Sequence, residues 1–179
     1  SAFATVLLKN LFARKRSDYL RRNRHSILEP LDMLQLANRE LLELGVGKFA
    51  TMVVGVLDHA ANTLRYAVAG HLPLPVLVSD TGARFLEGEG NPVGMLEDAE
   101  YTERQIRLPP TFMLALFSDG ILETLPPKSL LDKEALLLEL FSGRADSPSD
   151  LVARLGLDGV ETAPDDIAAL FVSKRGAHG

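Results

Sequence analysis

Apolar residues recur at helical spacing from the start of the chain. Ala2, Phe3, Val6, Leu7, Leu11 and Phe12 fall on one face, which predicts a helix already under way at Ser1. A second helix is predicted over 29–44. Pro30 suits its first turn, and Leu31, Leu34, Leu41 and Leu42 supply an apolar stripe. After Gly45-Val46-Gly47 the period changes. Strands are predicted over 49–57, 64–69, 75–79, 84–87 and 101–108, with turns at 58–63 and 80–82 and a loop at 91–94. The apolar run 112–117 predicts a buried strand, which Asp119-Gly120 ends sharply. Helices over 133–141 and 147–155 and a closing strand over 167–172 complete the chain. Helices, a run of antiparallel strands, then helices and one more strand define an α+β class. The expected architecture is two antiparallel sheets stacked as a β-sandwich, with helices outside.

Composition narrows the chemistry. The 179 residues are 46% hydrophobic and 24% charged, as in one globular domain with its own core. The absence of cysteine excludes disulfides and thiolate metal sites. With four histidines, a zinc site would need carboxylate partners, and the acidic composition suits oxygen-ligated Mg²⁺ or Mn²⁺ better. No apolar run reaches the roughly 18–20 residues of a membrane span. The segment 1–12 has neither the basic flank nor the cleavage site of a signal peptide. A cytoplasmic protein without membrane contact is expected. The net charge of −5 argues against nucleic acid as a partner. The exception is the basic stretch Arg14-Lys15-Arg16 and Arg21-Arg22-Asn23-Arg24-His25. It reads as a solvated helix end, with an acidic or phosphate-rich partner as the alternative.

Two acidic positions stand out. Asp119 follows the apolar run in Phe117-Ser118-Asp119-Gly120-Ile121-Leu122-Glu123, and Asp165-Asp166 precedes the closing strand. Adjacent carboxylates repel each other, and a bound cation relieves that repulsion. Polar turn residues at strand ends are the plainer reading of both. His71, between Gly70 and Leu72-Pro73, reads either as a general acid or as a histidine bonded within its own turn. A Ser118-His71-Asp119 hydrolase is disfavoured, because no Gly-x-Ser-x-Gly elbow exists.

Three blocks together resemble the SpoIIE-like branch of the metal-dependent (type 2C) protein phosphatases. The first is Phe49-Ala50-Thr51 with Leu64-Arg65-Tyr66-Ala67-Val68-Ala69-Gly70-His71-Leu72-Pro73. The second is Asn91-Pro92-Val93-Gly94 with Leu116-Phe117-Ser118-Asp119-Gly120-Ile121-Leu122-Glu123. The third is Pro164-Asp165-Asp166-Ile167-Ala168-Ala169-Leu170. The resemblance implies a β-sandwich flanked by helices that binds two Mn²⁺ or Mg²⁺ ions and hydrolyses phosphoserine or phosphothreonine. It implies Asp119 and Asp165 as metal ligands, Asp166 as a further ligand or supporting group, and Gly120 and His71 near the site. It also implies a bacterial signalling role. The partner would be a small phosphorylated protein, anti-anti-sigma-factor-like, and the parent a response regulator of the RssB type.

Two departures qualify that expectation. Ala168 stands where the family usually has threonine, and the family's upstream acidic motifs have no counterpart here. The expectation is therefore a single phosphatase domain over 1–179 that lacks its N-terminal strands and is inactive alone. The apolar face of its first helix would promote self-association, for instance as a homodimer. The second reading is a degenerate phosphatase fold that acts as a protein-binding output module.

Overall fold

The computed structural model describes residues 29–45, 47–126, 129–141, 148–156 and 166–174, together with Ala13 and Ser17. The helix expected over the first twelve residues and the basic stretch after it lie outside the rest of these. The chain divides into two compact units, Ser1–His71 with Gly88–Arg107, and Leu72–Glu87 with Leu108–Gly179.

Among the described residues, the first unit packs a long helix on a three-stranded sheet. Helix α1 spans Pro30–Glu43, and its proline stands where a helix start needs no N–H. Met33, Leu34, Ala37 and Leu41 bury one stripe. Gly45, at φ +61°, closes the helix by donating its N–H to the Leu42 carbonyl at 2.9 Å. Strands β1 (Met52–Asp58) and β2 (Thr63–Ala69) form a hairpin. Asp58 makes the turn, its Oδ1 accepting the N–H groups of Ala60 and Ala61, both at 2.8 Å.

Strand β5 (Glu103–Arg107) pairs with β2, so the antiparallel order is β1-β2-β5. Ala67 and Ala69 keep one sheet face low, which lets Leu34, Ala37 and Leu41 of α1 pack there with Val93 and Tyr101. At the end of that face Arg65 pairs with Glu29, just before α1, and with Glu103 of β5 at 3.4 Å. The Glu29 hydrogen bond is the main cause holding the Arg65 pKa above its ordinary value.

Tyr101 is 9% exposed, and its buried hydroxyl has no hydrogen-bond partner among the described residues. Burial pushes its pKa above the ordinary tyrosine value. The unfolded chain therefore loses this proton first. The related stability is complete below about pH 10 and is lost as pH rises through the folded value. Tyr101→Phe is expected to flatten that alkaline loss. At neutral pH it should stabilise by up to ~1 kcal/mol, because no buried donor is left unpaired. Thermal melts of both proteins from pH 7 to 11 check this, and a lower melting temperature for the variant throughout would contradict it.

Among the described residues, the second unit holds a four-stranded antiparallel sheet in the order β4-β3-β6-β7. Its strands are β3 (Val76–Ser79), β4 (Gly82–Phe85), β6 (Phe112–Phe117) and β7 (Ala169–Lys174). Helices α2 (Gly120–Thr124), α3 (Leu130–Phe141) and α4 (Pro148–Arg154) accompany it. Phe117 carries the core, its ring 5.8 Å from those of Phe141 on α3 and Phe171 on β7. The Ser129 hydroxyl starts α3 by accepting the Asp132 N–H at 3.1 Å.

Two antiparallel sheets with helices are the α+β architecture expected. The differences are local. Strand β1 starts at Met52, because Ala50 is engaged in a separate bridge with Val93. Strand β7 starts at Ala169, two residues later than the hydrophobicity suggests. Strand β6 is only half buried, since Met113, Leu114 and Leu116 stay partly exposed. Helix α2 was not anticipated, because five residues are too few to show a helical period.

Candidate functional site

Asp119 lies two residues beyond β6, at the N-cap of α2. An aspartate there usually caps its helix. Here the side chain makes no capping bond, and the residue is exposed. The local fold therefore does not consume the carboxylate. Gly120 opens α2 with helical backbone and is buried, so it needs no left-handed conformation.

Ser118 ties Asp119 to the acidic pair. Its hydroxyl donates to the Asp166 carbonyl at 3.0 Å and accepts the Ala168 N–H at 2.8 Å. Its own N–H donates to the Ala168 carbonyl at 2.9 Å. Residues 166–168 are thus held beside the end of β6 by a side chain where the regular ladder has not yet begun. Asp166 is exposed there. Asp165 lies outside the described residues. With one bond donated and one accepted, the Ser118 hydroxyl braces this corner of the fold.

The other motif residues meet in the first unit. Met52 pairs with Ala69, so Thr51 and Gly70-His71 leave the same end of the β1–β2 ladder. The Thr51 hydroxyl lies 3.4 Å from His71 Nδ1. Ala50 and Val93 exchange two backbone hydrogen bonds of 2.9 Å, and the Gly70 N–H donates to the Gly90 carbonyl at 2.8 Å. Gly94, at φ +82°, has no room for a side chain, since a Cβ would sit 2.7 Å from the Lys48 carbonyl oxygen. Three motif segments far apart in sequence, 49–51, 69–71 and 91–94, are thereby knitted together.

Carboxylates are the hard oxygen donors that Mg²⁺ and Mn²⁺ take, and Asp119 and Asp166 stand on segments bonded to each other. Their chemistry fits such an ion. Among the described residues no group of three His, Cys, Asp or Glu is arranged to hold one, so this pair is a partial donor set. Sequence reasoning missed the bracing role of Ser118 and overlooked Asn38 altogether. The one signal for Asn38 was a lone amide within the apolar stripe of α1.

The family model of Stage II sporulation protein E (SpoIIE) matches residues 2–175. Protein IcfG of Synechocystis sp. (strain ATCC 27184 / PCC 6803 / Kazusa) is 27% identical over 104 residues, 58% of this chain and 16% of that protein. The crystal structure of the RsbU and RsbW domains of Rv1364c from Mycobacterium tuberculosis is similar with a TM-score of 0.72 and 23% identity. That match covers 99% of this chain and 51% of the other. The PP2C phosphatase domain of SpoIIE from Bacillus subtilis, with a fragment of its regulatory domain, gives a TM-score of 0.73 at 15% identity. It covers 96% of this chain and 50% of that one. The phosphatase domain of the same protein, presoaked with Mn, gives 0.60 at 16% identity over 92% and 73% of the two chains. This chain spans about a sixth of its curated relative and half of the first two structures. Among the described residues no helix is long and apolar enough to cross a membrane. With a family match over nearly its whole length and the fold of the PP2C phosphatases, the chain belongs to the SpoIIE family.

Proposed function

We propose that residues 1–179 are one phosphatase domain that hydrolyses phosphoserine or phosphothreonine on a signalling protein. In this reading Asp119, Asp165 and Asp166 hold divalent Mn²⁺ or Mg²⁺. The observation that carries it is the Ser118 bracket, which joins the segments of two exposed carboxylates at one end of a sheet. Once bound, a divalent ion would lower the pKa of an attacking water and offset the charge of the phosphoryl group. Asp119 contributes a carboxylate that its helix leaves unused. Ser118 fixes where Asp166 stands relative to it. The manganese-treated SpoIIE structure supports the choice of metal, and the RsbU–RsbW chain supports a protein partner in a bacterial regulatory system.

The test is phosphate release from phosphoserine- and phosphothreonine-bearing proteins by the full-length protein. It is run with Mn²⁺, with Mg²⁺ and with a chelator. Metal-dependent release is the expected result. The absence of both phosphate release and Mn²⁺ binding would favour the binding-module reading.

A further inference from the structure

We infer that Asn38 is a positioning residue, whose amide fixes the loop 91–96 and, through it, the segments that carry Thr51 and His71. Asn38 is 6% exposed, in the middle of the apolar stripe of α1. Burying an amide there costs free energy unless both its ends are bonded. Both are, and both bonds reach the same distant loop. The Gly94 N–H donates to Oδ1 at 2.7 Å, and Nδ2 donates to the Leu96 carbonyl at 2.9 Å. Only this amide orientation matches the donor and the acceptor. Leucine would fill the stripe as Leu34 and Leu41 do, but it would release the loop.

From that loop two contacts lead on. Val93 holds Ala50 by the paired backbone bonds, and Pro92 packs so closely on Gly70 that a Cβ there would lie 2.6 Å from its ring. Ala50 precedes Thr51, and Gly70 precedes His71. Asn38 thus sets the position of two neighbours at once without touching either. The link to catalysis rests on the phosphatase reading; the link to His71 does not.

A purely local role would cost stability and leave His71 unmoved. NMR on the 179-residue chain separates the two. Asn38→Leu is compared with Leu34→Val, which thins the same core but keeps the amide. The expected result is displaced Ala50 amide and His71 imidazole signals in Asn38→Leu alone. In the unmodified chain, the Gly94 amide should exchange roughly ten- to a hundred-fold more slowly than an open loop amide. Unmoved signals in a folded Asn38→Leu overturn the inference. Should that variant not fold, Gly94 exchange at open-loop rates overturns it and slow exchange upholds it. In the full-length protein, Asn38→Leu should lower kcat roughly ten- to a hundred-fold with KM unchanged. A wild type without activity would sink the phosphatase reading, and the NMR result would still decide the role of Asn38.

Discussion

Asp119→Asn is expected to abolish metal-dependent phosphate release in the full-length protein and to weaken Mn²⁺ binding. The substitution keeps size and shape. It removes the charge that a hard cation needs to shed its waters. Asp119 makes no capping bond, so α2 loses nothing and the variant should melt near the wild-type temperature. Losing several kcal/mol of charge stabilisation corresponds to about a hundred-fold or larger fall in kcat/KM. Metal titration, melting and assay on the same preparations make the comparison. Full metal-dependent activity in the variant would remove Asp119 from the site. Ser118→Ala makes a graded companion. It keeps both carboxylates but drops the two hydroxyl bonds to 166–168, so activity should fall partway.

The elements that were legible in the sequence are those whose period is long enough to see. Helix α1 and strands β2 and β6 stand within a residue or two of where hydrophobicity predicts them. The late starts of β1 and β7 share one physical cause, in that side chains and backbone took bonds that a pattern of apolar positions does not encode. Val93 captures Ala50 ahead of β1, and the Ser118 hydroxyl captures Ala168 ahead of β7. The same cause hid Asn38, whose donor and acceptor partners lie 56 and 58 residues away.

Of the candidate site, the acidic positions were visible as residue types at strand ends. Their association was not, since it runs through a serine that reads as an ordinary polar residue. Asn91-Pro92-Val93-Gly94 was legible as a motif, but its joining of the Ala50 and Gly70 segments was not, since those contacts run between residues far apart in sequence.

Gly70→Ala is expected to destabilise the first unit strongly. Gly70 sits at φ +61°, where an L-residue pays about 1–2 kcal/mol. Its Cβ would stand 2.6 Å from Pro92 Cγ and 2.9 Å from Pro92 N. Overpacking of that kind adds about 1–3 kcal/mol, because the backbone nitrogen cannot swing aside as a side chain would. A loss of several kcal/mol would lower the melting temperature by about 10 °C in a chain of this size. Gly45→Ala supplies the control. Gly45 has the same φ of +61° but nothing within 4 Å of its added Cβ, so it pays the backbone cost alone. The difference between the two variants measures the contact with Pro92. Adding Pro92→Ala to Gly70→Ala removes Cγ and Cδ but leaves the nitrogen, so it should restore part of the loss and no more. Equal melting temperatures for Gly45→Ala and Gly70→Ala would show that the loop carrying Pro92 yields freely. The segments 69–71 and 91–94 would then not be locked together as described.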